Sequence, residues 1–77
     1  MRGRRLQRAR AQLFDEHPLC VQCQAEGRVT VACIRDHIVP LAEGGTDDRA
    51  NVQPLCQRCS DLKTQREAAR GMRRRWV

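Results

Sequence analysis

The 77-residue sequence is poor in aromatic residues, with one Phe, one Trp and no Tyr. With so few large apolar side chains, its core is too thin to offset an ordering entropy of about 1.5 kcal/mol per residue. Two aromatic rings also leave little for stacking on nucleic-acid bases. No apolar run is long enough to cross a membrane, and the start does not resemble a signal peptide. We therefore expect one cytoplasmic domain, residues 1–77, that needs a cross-link or a metal.

Lysine is almost absent, since fourteen of the fifteen basic residues are Arg and the net charge is +6. The arginines crowd the two ends of the chain, at Arg2, Arg4, Arg5, Arg8 and Arg10 and at Arg70, Arg73, Arg74 and Arg75. Residues 11–69 carry six basic and nine acidic groups. Guanidinium groups bind phosphate bidentately, so these basic arms, residues 1–12 and 70–77, predict a polyanionic partner. The alternative is that they are merely solvated ends.

The five cysteines form two C-x2-C knuckles 32 residues apart, Cys20–Cys23 and Cys56–Cys59, with Cys33 alone between them. An odd count argues against a disulfide framework. Paired thiolates at this spacing are typical of a closed, structural four-thiolate zinc site. Two disulfides or free thiols are the alternatives. We interpret Cys33 as a small buried apolar residue, and His17 as a polar residue at a helix end rather than a metal ligand.

Hydrophobic periodicity and turn residues predict a small α+β fold. In chain order we expect a helix over 4–16, a tight turn at Cys20–Cys23, a short strand over Val29–Ile34, an extended segment over Asp36–Pro40, a polar loop over 42–49, a return strand over Asn51–Leu55, and a helix over Asp61–Arg70 that Gly71 ends. The extended segment and the return strand would form a hairpin.

Asp36 and His37 lie side by side on the first arm of this hairpin, and Asn51 begins the second. An imidazole, with an unperturbed pKa of about 6.5, can activate water as a general base. A carboxylate on the other face of the segment is a hard oxygen ligand for Mg or Mn. Hydrolysis of a phosphodiester needs such a base and such an ion. On their own, these residues are equally typical of polar surface and of turns.

Four segments together resemble the HNH endonucleases of the ββα-metal class found in phage and bacterial genomes. They are EHPLCVQC, DHIVPLAEGG, NVQPLC, and the second C-x2-C followed by x-D-L-K-T. The resemblance covers roughly residues 13–67. It implies a treble-clef-like ββα-metal fold with a structural zinc, an N-terminal helix, a β-hairpin and a C-terminal helix.

The resemblance also implies a role for each matching residue. His37 would be the general base, Asp36 a ligand of the catalytic divalent ion, and Asn51 a brace for the hairpin loop that orients His37. That ion would be Mg or Mn, with Ni or Zn as alternatives. The structural zinc would be held by the four paired cysteines, Cys20, Cys23, Cys56 and Cys59. The phosphates of DNA would lie near Lys63 and Arg66. From the charge distribution, and not from the resemblance, we add Arg4, Arg5 and Arg8 of the N-terminal arm as candidate nucleic-acid-binding residues.

The sequence departs from this family at Ser60. Family members usually have His directly after the second knuckle, as the other protein ligand of the catalytic metal. A hydroxyl is a poor ligand beside an imidazole. Three interpretations remain open: loss of activity, a weakened site in which Ser60 binds the metal through water, and replacement of Ser60 by Asp61 as the ligand. Ser60 also fits the N-cap of a helix. We expect a metal-dependent DNA endonuclease of impaired activity.

The alternative is a non-catalytic zinc module that binds nucleic acid through its arginines, and a third possibility is a protein-interaction zinc domain. For the endonuclease we expect DNA as the partner, no membrane, and the cytoplasm of a bacterial or phage-infected cell. Other phage or bacterial proteins, such as packaging components, are further candidate partners.

Overall fold

The structure is a computed structural model that describes residues 2–76, with side chains described for residues 3–71. Within this range it is a small α+β fold of three helices and one two-stranded antiparallel sheet, so the predicted fold class is confirmed. The elements are α1 (Arg2–Glu16), α2 (Val21–Ala25), β1 (Ile34–His37), β2 (Val52–Leu55) and α3 (Gln57–Trp76). Arg73, Arg74 and Arg75 of the predicted C-terminal arm lie outside the described side chains.

Helix α1 forms where the periodicity predicts it and begins two residues earlier. Leu13 is fully buried and Phe14 is half-buried, whereas Leu6 is 51% exposed, so only the C-terminal half of the apolar face packs on the domain. The helix ends at Glu16 because the residue before a proline, here His17, avoids helical geometry. The His17 side chain is exposed, as expected of a polar residue at a helix end.

The predicted strand over Val29–Ile34 is wrong. Outside β1 this segment has only an isolated bridge, between Leu19 and Val31. Its backbone instead bonds to the first knuckle and its approach: the Thr30 carbonyl accepts from the Cys20 amide, and the Ala32 amide donates to the Pro18 carbonyl. The β-branched residues Val29, Thr30 and Val31 therefore lie outside the two-stranded sheet.

The predicted hairpin is confirmed, with bounds that differ by a residue or more. β1 pairs with β2 in antiparallel register, with Ile34 opposite Leu55 and His37 opposite Val52. Successive side chains of a strand point to opposite faces, so Asp36 and His37 necessarily face apart. The hairpin loop, residues 38–51, contains two single 3-10 turns, Leu41–Glu43 and Arg49–Asn51.

Helix α3 is longer than predicted at both ends. It begins at Gln57 instead of Asp61, so the second knuckle is part of its first turn. Ser60 is therefore not an N-cap; its amide already donates to the Cys56 carbonyl at 3.0 Å. Gly71 does not end the helix. An exposed glycine costs a helix only about 1 kcal/mol relative to alanine, which a long helix tolerates.

Half of the buried apolar core is thiol. The buried residues of hydrophobic type within the described range are Leu13, Cys20, Cys23, Ala32, Val52, Leu55, Cys56 and Cys59. Leu55 joins the four paired cysteines in one cluster, against which Ile34 packs. The interpretation of Cys33 as buried is wrong, because its side chain is exposed. Among the described residues, no helix combines the length and hydrophobicity that a membrane span requires.

Candidate active site and metal centre

The four paired thiols converge on one point. The Sγ atoms of Cys20, Cys23, Cys56 and Cys59 all lie within 4.8 Å of one another, and all four residues are buried. Cys23 Sγ is 3.8 Å from Cys56 Sγ and 3.7 Å from Cys59 Sγ. Zinc–sulfur bonds of about 2.3 Å in a tetrahedron place the sulfurs roughly 3.8 Å apart. The donor set thus fits a closed four-thiolate zinc site, and the alternative of two disulfides does not apply to this structure.

Both knuckles place their thiols at the start of a helix. Cys20 is the N-cap of α2, and its sulfur accepts the Cys23 amide at 3.5 Å. The predicted tight turn at Cys20–Cys23 is thus the beginning of this short helix. Cys56 immediately precedes α3. Helix N-termini present unpaired N–H groups, which stabilise thiolates.

The protonation of these thiols also points to a cation. A hydrogen bond with Thr30 is the main reason that the pKa of Cys23 falls to about 6, although burial opposes it. Burial raises the pKa of the Cys59 thiol to about 12. Four thiols in one cluster would therefore not all ionise unaided. A coordinated divalent ion holds every ligating thiol deprotonated.

Asp36 lies on the face of β1 that meets α3. Its Oδ2 accepts from Gln53 Nε2 at 2.9 Å and lies 3.3 Å from Lys63 Nζ. Lys63 also donates to the His37 carbonyl at 2.8 Å and pairs with Glu67. Burial alone would lower the pKa of Lys63, but its bonds to Glu67 and Asp36 raise it overall. Two carboxylates thus share one ammonium, which leaves a net charge of −1 at this partly buried position.

Ser60 lies on α3 one turn before Lys63, and it is half-buried. Residues three apart on a helix lie on the same side, so Ser60 and Lys63 are neighbours on the α3 surface. The structure therefore brings residue 60 to the helix face that carries the partner of Asp36.

His37 lies on the opposite face of β1. Its Nε2 is 2.6 Å from Asp47 Oδ1, and the same oxygen accepts from Arg35 NH1 at 2.7 Å. The sequence interpretation missed Asp47 and treated it only as part of a polar loop. The available signal was an acidic residue two positions after Gly44–Gly45, in a loop that must close over the end of the hairpin.

Asn51 holds the hairpin loop closed. Its side-chain oxygen accepts from the Val39 amide at 2.9 Å, and its Nδ2 donates to the carbonyls of Val39 at 3.0 Å and Thr46 at 2.7 Å. These bonds are those expected of a loop brace. They run to the loop backbone, and His37 is not among the partners of the Asn51 side chain.

The predicted phosphate contacts fall on two helices. Arg4, Arg5 and Arg8 are exposed on α1. Arg66 is exposed on α3 and, with Lys63, Arg28 and Arg58, lines a cavity of about 80 Å³ between α2, β2 and α3. Lys63 and Arg66 therefore lie on the Asp36 side of the hairpin, whereas Arg5 lies on the His37 side, beside Arg35 and Asp47.

The sequence pattern of the HNH endonuclease family matches residues 20–66, more than half of the chain. The chain belongs to the HNH endonuclease family. Among solved structures it is similar to the crystal structure of the HNH endonuclease of deep-sea thermophilic bacteriophage GVE2 with manganese ion. That similarity has a TM-score of 0.73 and 36% sequence identity, and it covers 83% of this chain and 73% of the other. No curated protein matches the chain.

The stretch that matches the HNH family contains both knuckles, Asp36, His37 and Asn51. The resemblance inferred from the sequence is thus confirmed at the level of family and fold. Within this family, the chain combines a cysteine cluster suited to zinc with a hairpin that carries the Asp-His pair on its two faces.

Proposed function

We propose that this HNH endonuclease hydrolyses DNA phosphodiester bonds with His37 as the general base and Asp36 as a ligand of a divalent metal ion. The observation that carries the proposal is that Asp36 and His37 are adjacent residues at the end of β1, one on each face, inside the stretch that matches the family. The crystal structure of the similar phage enzyme contains a manganese ion, which supports a divalent ion here.

The DNA phosphate would lie across the end of β1, within reach of both residues. Asp36 supplies a carboxylate oxygen at a position of net charge −1, which favours a cation. A divalent ion bound there would neutralise charge on the phosphate and on the leaving oxygen. His37, on the other face, would take the proton of the attacking water. Asn51 would keep the hairpin loop in the conformation that this arrangement requires.

Ser60 would weaken the enzyme. It occupies the α3 position from which a side chain would complete the ligand set with Asp36, and a hydroxyl binds divalent ions less well than imidazole. Loss of a residue that only supports a metal ligand costs about 10–100-fold in activity or affinity, so loss of a ligand costs at least as much.

Zinc would have a purely structural role, held by Cys20, Cys23, Cys56 and Cys59. Four thiolates leave no open coordination position for water or substrate. DNA would be bound through phosphates by Lys63 and by the exposed arginines of the two helices, Arg4, Arg5, Arg8 and Arg66.

A plasmid-cleavage assay tests the proposal. The zinc-bound chain, Ser60→His and His37→Ala are each incubated with Mg²⁺, Mn²⁺, Ni²⁺ or Zn²⁺. We expect weak nicking by the chain, nicking at least about 10-fold faster by Ser60→His, and none by His37→Ala. His17→Ala is the matched control, because His17 is the only other histidine and lies exposed at the end of α1. If neither the chain nor Ser60→His cuts DNA with any ion, the endonuclease proposal is wrong.

One observation favours a second candidate, a non-catalytic zinc module that binds nucleic acid. Lys63 Nζ lies 3.3 Å from Asp36 Oδ2, so an ammonium group is already placed where a metal would bind. In that case the chain and Ser60→His would bind DNA at low salt with equal affinity, and neither would cut it.

A further inference from the structure

The Asp47 carboxylate is fixed before any substrate arrives. Arg35 donates from NH1 to Asp47 Oδ1 at 2.7 Å and from NH2 to the Asp47 backbone carbonyl at 3.2 Å. The Arg35 side chain is only 8% exposed, so it is held by packing. A buried two-point clamp of this kind leaves Asp47 little freedom, even though its own side chain is 65% exposed.

The hairpin loop brings Asp47 to this position. Asn51 donates to the carbonyl of Thr46, the residue before Asp47. Close approach of the two sides of the loop requires glycine at 45, because a Cβ there would lie 1.9 Å from the Val39 carbonyl oxygen. Asn51 therefore holds the backbone immediately before Asp47.

The hydrogen bond between Asp47 and His37 can have only one direction. Arg35 first, and then His37, hold the pKa of Asp47 below its usual range, so the group is a carboxylate with no proton to donate. At 2.6 Å from that carboxylate, His37 Nε2 must be the donor. In a neutral imidazole whose Nε2 carries the proton, Nδ1 carries the free lone pair.

We propose that Asp47 is a positioning residue of this enzyme: it fixes His37 in the Nε2–H tautomer and leaves Nδ1 as the atom that accepts the proton of water. The inference rests on the proposed role of His37 as general base. It assigns a function to a loop residue outside the Asp-His-Asn pattern, and it explains why a nearly buried arginine stands two residues before His37 on the same face of β1.

Nitrogen-15 NMR of the imidazole rings measures the tautomer directly. In the zinc-bound chain, at a pH where both imidazoles are neutral, we expect His37 to show protonated Nε2 and unprotonated Nδ1 as a single form. In Asp47→Ala we expect its two nitrogens to move towards each other in chemical shift, as a tautomer mixture does. His17 provides an internal reference in the same spectrum, and amide spectra confirm that the variant is folded.

Asp48→Ala is the matched control, because it removes the same charge from the next residue, whose side chain makes no capping hydrogen bond. It should leave the His37 signals unchanged. In the plasmid assay, in the Ser60→His background, Asp47→Ala should lower kcat about 10–100-fold, the range known for loss of a hydrogen-bond partner that orients a metal-binding histidine. KM should be unchanged, and Asp48→Ala should match its parent in kcat.

Unchanged His37 nitrogens in Asp47→Ala would overturn the proposal, and so would an altered tautomer with an unchanged kcat. If no variant cuts DNA, including Ser60→His itself, the proposed function fails and the positioning role fails with it. If the Ser60→His parent cuts DNA and Asp47→Ala in that background cuts it equally fast, the positioning role alone is wrong.

Discussion

Removal of zinc should unfold this domain. The effect should be large, because among residues 3–71 four of the eight buried residues of hydrophobic type are the clustered thiols. Without an ion, the centre of the core is a set of polar sulfur groups, and few aliphatic side chains remain to stabilise the fold. Closed thiolate sites in small domains contribute about 10–16 kcal/mol, whereas whole domains are stable by about 5–15 kcal/mol.

The spacing of the sulfurs supports a zinc contribution to stability in the full range given above. Two of the Sγ–Sγ distances, 3.7 and 3.8 Å, match a zinc tetrahedron, and all four sulfurs lie within 4.8 Å of one another, so binding requires little rearrangement of the thiols. The assay combines a strong chelator, far-UV circular dichroism and a colorimetric zinc indicator. We expect one zinc released per chain, with loss of helical signal in step with zinc release and recovery when zinc is restored.

Two substitutions distinguish the loss of a metal ligand from the loss of a cysteine outside the metal site. Cys56→Ser removes one ligand and should abolish stoichiometric zinc binding and the folded spectrum. Cys33→Ser changes the exposed fifth cysteine and should alter the free energy of unfolding by less than about 0.5 kcal/mol. A chelated, metal-free chain that kept its native spectrum and melting behaviour would refute this reasoning.

Three further results are expected. Asn51→Ala removes three hydrogen bonds to the hairpin loop backbone and should lower the free energy of unfolding in urea by about 1–3 kcal/mol; a loss below about 0.5 kcal/mol would show that the loop closes without it. Lys63→Met removes the ammonium 3.3 Å from Asp36 and should tighten Mn²⁺ binding about fivefold, which corresponds to about 1 kcal/mol for a partly exposed ion pair. Titration calorimetry of Mn²⁺ into the zinc-loaded protein measures this affinity, and an equal affinity in the variant would exclude competition between Lys63 and the metal. Replacing the three exposed α1 arginines, Arg4, Arg5 and Arg8, by Gln should weaken the salt dependence of duplex DNA binding: the slope of the logarithm of the association constant against the logarithm of salt concentration should fall by about 3 in magnitude. An unchanged slope would mean that α1 does not contact phosphate.

The sequence was most informative where spacing alone determines structure. Two C-x2-C pairs can meet around one ion whatever lies between them, so the clustered thiols were predictable from ligand chemistry. The hairpin followed from a polar, glycine-containing segment between two apolar ones. Helix α1 was predictable from the helical spacing of its apolar residues, and its end from Pro18.

The errors share a physical cause, which is that the decisive partner lies far away in the sequence. Val29 and Val31 favour a strand, but no neighbouring strand pairs with them beyond one bridge, and they remain 82% and 73% exposed. Helix α3 begins at Gln57 because the metal-site geometry continues directly into a helical turn. Asp47 contacts Arg35 and His37 only because the hairpin loop folds back over β1, and local propensity contains no information on that contact.

The position of the thiols in the chain has a consequence for synthesis. Cys20 and Cys23 leave the ribosome well before Cys56 and Cys59, and the whole hairpin lies in the 32 residues between the two pairs. The ring that the ion closes therefore cannot form until residue 59 has emerged. Until then Asp36, His37 and Asn51 belong to an open chain, so the nascent protein acquires its shape and its proposed chemistry together, once Cys59 is free of the ribosome.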